Sequence, residues 1–342
     1  MIRKDELKGG IGLNIKRIFL SAAAVVMSLT MLCSCGEPAG LRLGTGNPGG
    51  IYYAYGTVLR ELDDCGIDVK KTEGSRANMR LMNEGFLDLA IVQSDVLAEA
   101  VSGTGDFEGT PVTGVRAVAG LYYEAFQIIT RSDSGITELA DLKGCKMSVG
   151  EEGSGVAKNA EYLLLSAGIP YSSVETVNMS YAESAQALEN GEIDAFFVIL
   201  GAPSTVVSEL AESTDISIMQ LDERTAAAMT GIYPGYYSMT IPAGTYRGQD
   251  EEVNTVGVKA VLTAEARVSS ESVRAVTATL FENASSIKYT MTVPAPDIEF
   301  AVTDIPCGFH QGAADYYSWN GVTVSTGSVP EVSRPLFVTR GD

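Results

Sequence analysis

The sequence predicts an α/β protein of two lobes with a ligand cleft between them. From residue 41 onward, short apolar runs alternate with amphipathic stretches, which is the pattern of β-α units that build a mostly parallel sheet. The same alternation begins again near Cys145, and each half has a glycine-containing turn between a predicted strand and a predicted helix. Because 45% of the residues are apolar, the roughly 300 residues after the N-terminal segment can bury the cores of two lobes.

Residues 1–34 predict an export signal. Basic residues are concentrated within positions 1–17, and residues 18–32 carry no charge, a run too short for a typical membrane span. The run ends in Leu32-Cys33-Ser34-Cys35, which resembles a bacterial lipobox. We therefore predict that Cys35 is the lipidated first residue of the mature chain, with residues 35–40 as a lipid-anchored linker. This places the protein outside the cytoplasm, held on the bacterial membrane; an uncleaved N-terminal anchor is the alternative.

The composition excludes several classes of function. The chain has 24 Lys and Arg against 43 Asp and Glu, a formal net charge of −19, which argues against a nucleic-acid partner but not against a locally positive pocket. Cys65, Cys145 and Cys307 are too few and too far apart for a disulfide framework or a zinc cluster, although one disulfide stays open. His310 is the only histidine and no nucleophile elbow is present, so we predict no enzyme, no metal and no cofactor.

The first glycine turn, Gly44-Thr45-Gly46-Asn47-Pro48-Gly49-Gly50, separates a short apolar run from a predicted helix at 51–62. Glycines let backbone N–H groups converge, and a helix N-terminus adds partial positive charge, so the turn predicts a seat for an anion. Its spacing also fits a dinucleotide-binding fingerprint, with Glu73 as the ribose-binding acid. Export away from the nicotinamide pool, the single histidine and the second glycine turn argue against that dehydrogenase alternative.

The other elements of the first half follow in order. We predict strands at 67–71 and 87–92, and helices at 75–84 and 94–100, with Ser75 as an N-cap. After a Gly- and Thr-rich loop at 102–114, two apolar runs at 115–122 and 125–130 predict two strands that lead into the second half.

The second half repeats the pattern. We predict strands at 145–149, 174–178 and 193–200, a Gly/Ser turn at 150–155, and helices at 156–167, at 182–189 and after Pro203. The chain continues with strands at 236–241 and 253–263, a long helix at 270–287 and a last helix at 309–319. This order predicts two parallel sheets joined by about two crossings, with residues 41–131 and 245–342 as lobe I and residues 132–244 as lobe II.

A series of motifs resembles the TAXI class of extracytoplasmic solute receptors, which serve tripartite ATP-independent periplasmic (TRAP) transporters. In order along the mature chain, they are Gly44-Thr45-Gly46 with Tyr52-Tyr53, Thr72-Glu73-Gly74-Ser75, Gln93-Ser94-Asp95, Gly153-Ser154-Gly155, Asp194-Ala195-Phe196-Phe197, residues 241–249, and Ile305-Pro306 with His310 and Tyr316-Tyr317. The resemblance implies a fold like that of type II periplasmic binding proteins. It also implies a small anionic or zwitterionic ligand, such as glutamate, glutamine or a dicarboxylate, and a TRAP membrane permease as partner.

The resemblance further implies that four loops form the ligand shell. The predicted ligand-binding residues are Thr45, Gly46, Gly50, Tyr52, Tyr53, Glu73, Ser75, Gln93, Ser94, Gly153 and Ser154. Thr45 and Ser154 could instead cap helices, and which of the adjacent Tyr52 and Tyr53 faces the cleft stays open. Glu73 would repel a carboxylate but suit an ammonium group, which would favour an amino acid. Arg76 is more typical of a solvated helix face than of a ligand contact, and His310 of packing.

Two functions remain open from the sequence. One is a solute receptor that closes over a small carboxylate or amino acid and delivers it to a TRAP permease. The other is a sensory or interaction lipoprotein of the same fold without a transport role.

Overall fold

The computed structural model describes residues 40–48, 50–62, 66–152, 154–290, 294 and 296–327. The predicted export signal, the lipidation site at Cys35 and almost all of the 35–40 linker lie outside the described residues, as do Gly49, Cys65 and Gly153. The described residues from Leu41 onward belong to one compact unit.

The strands and helices alternate along most of this unit, as predicted. The strands are β1 (Arg42–Gly44), β2 (Asp68–Lys70), β3 (Leu89–Gln93), β4 (Val115–Arg131), β5 (Lys146–Ser148), β6 (Glu175–Val177), β7 (Ala195–Leu200), β8 (Ile216–Ile218), β9 (Tyr236–Ile241) and β10 (Val253–Glu265). The helices are α1 (Ile51–Leu62), α2 (Ser75–Asn83), α3 (Ser94–Ser102), α4 (Gly155–Ser166), α5 (Tyr181–Glu189), α6 (Thr205–Ser213), α7 (Glu223–Ile232), α8 (Ser270–Glu282), α9 (Ala284–Thr290), α10 (Ile298–Val302) and α11 (Gln311–Trp319).

The strands of the described residues form one mixed sheet in the order β2-β1-β3-β10-β4-β7-β5-β6, with β8 also paired to β4 and β9 to β10. Its two outer parts are parallel: β1 pairs with β2 and β3, and β5 pairs with β6 and β7. The long strands β4 and β10 run antiparallel to each other in the middle and connect the two parts. The predicted α/β class, with two lobes and a cleft between them, is confirmed.

Two details of the predicted architecture are wrong. The parallel parts are not separate sheets, because β4 and β10 join them into one hydrogen-bonded sheet. The runs at 115–122 and 125–130 are not two strands but one strand of 17 residues, β4. The charge of Glu124 inside an apolar sequence suggested a break, but Glu124 occupies a regular position paired with Val258 of β10.

The elements β8, α7 and α10 were not predicted, and further differences lie at helix ends. The predicted helix at 270–287 divides at Asn283, whose side-chain amide donates to the carbonyl of Thr279 at 3.0 Å and ends α8. Ser75 is not an N-cap: Gly74 with φ 96° holds that position, and the Ser75 hydroxyl accepts the backbone N–H of Gln93 at 3.0 Å. His310 is buried and caps α11, since its Nδ1 accepts the N–H of Gly312 at 3.1 Å.

Each part of the sheet packs its own apolar core. In the first part, Leu43, Ile91 and Val118 share a cluster with Val276 and Tyr317 from the C-terminal helices. The Tyr317 hydroxyl donates to the carbonyl of Val118 at 2.7 Å, which fixes α11 against β4. In the second part, two clusters cover the sheet, one around Phe197 and Leu163 and the other around Phe196 and Leu188. This burial of apolar surface holds the loops at the strand ends in place.

Candidate functional site

A cavity of about 500 Å³ lies where the loops of the two sheet parts meet. This volume is typical of pockets for small molecules. Most of its lining residues follow the carboxyl ends of parallel strands, the edge at which open α/β sheets bind ligands. They include Gly46, Asn47, Gly50, Tyr52, Glu73, Gly74, Ser75 and Gln93 from the first part, Glu124 from β4, and Gly150, Glu151, Ser154, Gly155, Ser180, Tyr181, Glu183 and Ser204 from the second.

Helix N-termini from both parts of the sheet reach this cavity. Residues at or next to the first residue of α1, α2, α4, α5 and α6 line its wall. The first backbone N–H groups of a helix lack intrahelical partners and carry partial positive charge. The cavity therefore offers donors for a carboxylate from opposite sides without a basic side chain.

The acidic side chains of the lining differ in their surroundings. Glu73 is exposed, whereas the Glu183 carboxylate accepts the N–H of Ser180 at 2.9 Å and its hydroxyl at 2.7 Å in a capping box of α5. Glu151 accepts the side-chain amide of Asn47, a contact that connects the two glycine turns. None of the described lining residues is Lys, Arg or His.

Glu124 is the buried acid of the cavity, with 3% of its surface exposed. The hydroxyl of Tyr52 donates to its Oε2 at 2.9 Å. Burial raises the pKa of Glu124 to about 8, and the hydrogen bond from Tyr52 lowers that pKa only in part. Since no basic side chain of the described lining compensates the charge, the protein's own groups favour a neutral Glu124 at pH 7.

Gln93 ends β3 and faces α4 of the second part. Its side-chain oxygen is buried without a hydrogen-bond partner among the described residues. A Cβ on Gly155 would collide with this oxygen, so glycine is what lets α4 approach β3 so closely. An unpaired buried acceptor is costly, and a donor from a ligand would remove that cost.

The structure brings most of the predicted ligand-binding residues together. Those that line the cavity are Gly46, Gly50, Tyr52, Glu73, Ser75, Gln93 and Ser154. Of the two adjacent tyrosines, Tyr52 lines the cavity and Tyr53 does not. Gly153 lies outside the described residues.

Thr45 and Ser94 are fully buried and do not line the cavity. The Thr45 hydroxyl donates to the carbonyl of Lys70 at 2.8 Å, which ties the first turn to β2. The Ser94 hydroxyl donates to the carbonyl of Gly235 at 2.8 Å and accepts the N–H of Lys259 at 2.9 Å. Both hydroxyls therefore position the strands and turns around the cavity.

Arg76 is buried rather than on a solvated helix face, and it does not line the cavity. Its guanidinium lies 3.1 Å from the Glu99 carboxylate and 2.7 Å from that of Asp106. Tyr162 of α4 donates to the same Glu99 at 2.6 Å. The Arg76 charge is thus neutralised behind the cavity wall, in a contact between the two parts.

A second buried polar group connects the parts next to Gln93. The Tyr236 hydroxyl of β9 donates to Asp95 Oδ2 of α3 at 2.9 Å. The Asn159 amide of α4, with its nitrogen turned toward them, donates to the same Asp95 oxygen at 2.8 Å. Burial, together with the charge of Glu99, raises the pKa of Asp95 to about 6.

Sequence reasoning missed Glu124, Glu151, Ser180, Tyr181 and Ser204. A lone acid inside an apolar run was a signal for Glu124, because a charge in a central strand needs a cavity or a partner. Ser180 and Glu183 have the spacing of a capping box, which marks a helix N-terminus. Ser204, whose N–H donates to the Tyr246 hydroxyl at 3.0 Å, directly precedes α6 after β7.

Within the described residues, no group of three or more His, Cys, Asp or Glu could hold a metal ion. Cys145 and Cys307 are free thiols. None of the helices in the described ranges is long and apolar enough to cross a membrane.

The structure is similar to several solved binding proteins. The alkanesulfonate-binding protein SsuA from Xanthomonas axonopodis pv. citri, bound to MOPS, is 16% identical with a TM-score of 0.44, over 75% of this chain and 79% of that one. The aliphatic sulphonate binding protein SsuA from Escherichia coli is 15% identical with a TM-score of 0.43, over 86% and 96%. An ancestral arginine-binding protein bound to arginine is 15% identical with a TM-score of 0.44, over 74% and 96%.

A family comparison gives a match over most of the chain. Residues 43–321, which include every described residue that lines the cavity, match the NMT1-like family. The protein therefore belongs to the NMT1-like family.

Proposed function

We propose that this protein is an extracytoplasmic solute receptor of the TAXI type, anchored through a lipid on Cys35. It binds a small carboxylate or amino acid, such as glutamate, glutamine or a dicarboxylate, and delivers it to a TRAP permease. The observation that carries this proposal is the set of helix N-termini from both parts of the sheet around one cavity of about 500 Å³. The first N–H groups of a helix lack intrahelical partners, which suits a carboxylate held between two lobes.

Closure of the lobes would bury the ligand and present a closed face to the permease. In the proposed division, residues 41–131 and 245–342 form lobe I and residues 132–244 form lobe II. Contacts between the lobes lie beside the cavity, from Asn47 to Glu151 and from Asp95 to Tyr236. A ligand that touches both lobes stabilises the closed form because it adds contacts that the open form lacks.

A thermal-shift screen of the full-length chain tests the binding step. The compounds are acidic amino acids, glutamine, dicarboxylates and keto acids. A ligand that binds only the folded state at 100 times its Kd stabilises that state by about 2.7 kcal/mol. We expect at least one compound to raise the Tm. A chain that unfolds cooperatively, with no Tm change for any of them, would contradict the proposal.

Reconstitution with its permease tests the delivery step. Uptake into vesicles that contain the permease should depend on this chain and on the ligand found in the screen. Ligand binding without any dependence of uptake would instead favour the sensory or interaction lipoprotein.

A further inference from the structure

Glu124 has an environment that the carboxylate-binding role does not explain. It is the one described lining residue that is both acidic and almost fully buried, and it lies on β4, the strand shared by both parts of the sheet. A buried carboxyl group that faces a ligand cavity is costly to ionise unless a positive charge comes close to it. The protein does not supply that charge from the described cavity wall.

We propose that Glu124 selects the ligand by binding a positively charged nitrogen, so that the cavity takes a zwitterionic or cationic amine and rejects the same carboxylate without the amine. This inference rests on the proposed function and narrows its ligand class. The ligand carboxylate would face the helix N-termini, and its ammonium group would donate to Glu124.

The groups around Glu124 support this assignment. Its titratable neighbours are Tyr52 of α1, Tyr122 of its own strand, Tyr181 of α5 and Asp95 of α3. None of these is a base, and the carboxyl is hydrogen-bonded by the neutral side chains of Tyr52 and Gln93 only.

The buried Lys and Arg side chains of the described residues, Lys259 and Arg76, have other partners. Lys259 pairs with Tyr123, the residue before Glu124, and successive side chains of a strand point to opposite faces. Its ammonium group donates to the carbonyls of Phe300 and Thr303 at 3.0 and 2.8 Å. Arg76 pairs with Glu99 and Asp106 behind the wall.

Two acceptors on contacting residues suit an ammonium group, since the Gln93 side chain hydrogen-bonds the Glu124 carboxyl and leaves its own oxygen unpaired. The unpaired side-chain oxygen of Gln93 and the carboxylate of Glu124 both belong to cavity-lining residues. An ammonium group brings three donors and no acceptor, and so can satisfy both. Charge-assisted hydrogen bonds of this kind are about twice as strong as neutral ones.

The proposal also predicts that binding of an amine releases a proton from the protein. Burial raises the pKa of Glu124 to about 8, so before a ligand binds, its carboxyl group is neutral at lower pH. An ammonium group that binds there favours the ionised form, and the Glu124 proton then leaves to solvent. Affinity for an amine should therefore rise between pH 6 and 8, by up to about tenfold per pH unit.

Calorimetric titration of the full-length chain with matched probes tests the proposal. The pairs differ only in an amino group: L-glutamate and glutarate, L-glutamine and 4-carbamoylbutanoate, L-leucine and 4-methylpentanoate. In at least one pair, we expect the amine to bind about 100-fold more tightly than the analogue without the amino group, because that analogue leaves buried acceptors unpaired. Titrations in buffers of different ionisation enthalpy should show release of about one proton at pH 6.5 and less at pH 8.5.

Glu124→Gln keeps the shape of the side chain and removes the charge. It should lower the affinity for the amine by about tenfold or more and abolish the proton release. Glu209→Gln, an exposed acid on α6 that does not line the cavity, is the matched control and should change neither quantity. If Glu124→Gln does not fold, the proton release of the unchanged chain decides the question alone.

Three results would overturn the inference while the proposed function stands: binding with no preference for the amine in any of the three pairs, an unchanged affinity in Glu124→Gln, or binding of the amine at pH 6.5 without proton release. If none of the six probes binds to the folded chain, the proposed function fails in this form, and the inference fails with it.

Discussion

The hydroxyl of Tyr236 on β9 donates to Asp95 on α3 over 2.9 Å, and this pair connects the two parts of the sheet directly behind the cavity. Both side chains are buried, and the Asn159 amide from α4 joins them. The Tyr236 hydroxyl donates to Asp95 and accepts from the Asn159 amide, so any arrangement that separates these three side chains leaves more buried polar atoms unpaired.

Tyr236→Phe tests the strength of this connection. The variant leaves the buried Asp95 carboxyl with one donor fewer, so we expect a loss of about 1–3 kcal/mol in the free energy of unfolding at pH 7. Urea unfolding measures it. Tyr53→Phe is the control, since the Tyr53 side chain is half-buried and lies off the cavity. Equal stability of the two variants would show that the Tyr236 hydroxyl does not stabilise the fold.

Arg76→Met removes a buried charge that is paired with two acids. Breaking such a pair leaves the carboxylate of Glu99 without its partner, at a cost of about 3 kcal/mol. Arg80→Met, an exposed arginine on the same helix, should cost less than about 0.5 kcal/mol. Thermal or urea unfolding of both variants checks the difference, and a small loss in Arg76→Met would contradict this role.

Glu124→Gln should change how stability depends on pH. The native pKa of about 8 lies above the ordinary 4.5, so the folded chain keeps a proton that the unfolded chain releases between these values. Stability of the unchanged chain therefore falls as pH rises through this window, whereas the glutamine variant lacks this loss. We expect the variant to gain at least about 1 kcal/mol relative to the unchanged chain between pH 5 and 8. A constant difference between the two chains would show that Glu124 ionises normally.

Tyr52→Phe should raise the pKa of Glu124 further. The Tyr52 hydroxyl stabilises the ionised carboxylate with its hydrogen bond, and phenylalanine cannot. Carbon-13 NMR titration of the Glu124 carboxyl measures the shift, with Tyr53→Phe as the control that should leave it in place. A pKa that does not move in Tyr52→Phe would show that the hydrogen bond is not kept in solution.

The sequence allowed prediction of the parts of the site that depend on local patterns. The turn at Gly46 and Gly50 follows an apolar run and precedes a helix, and both residues line the cavity. Gln93 was among the predicted ligand-binding residues, and it directly follows the apolar run of β3 and lines the cavity. These inferences need only neighbouring residues.

Contacts distant in the sequence decided the rest. Ser94 follows Gln93 and is also polar. Its hydroxyl, however, accepts the backbone N–H of Lys259, 165 residues away, and Ser94 does not line the cavity. Glu124 interrupts an apolar run, a pattern that fits two short strands. Its place within one long strand depends on the pairing with Val258 of β10, which no local pattern shows. Arg76 appeared to be a surface residue because its partners Glu99 and Asp106 lie on other elements of the chain.

The central claim is that the ligand binds in the cavity between the two glycine turns. Gly155→Ala tests it, because the added Cβ would collide with the Gln93 side chain and force it to move within the cavity wall. Gly231→Ala is the matched control, since that Cβ meets open space within helix α7.

The decisive measurement is the Kd, by calorimetry, of the compound found in the thermal-shift screen, for the unchanged chain and both variants. We predict that Gly155→Ala binds at least about tenfold more weakly, equivalent to 1.4 kcal/mol, while Gly231→Ala binds as the unchanged chain does. Equal affinity in all three folded chains would place the ligand elsewhere and contradict the account.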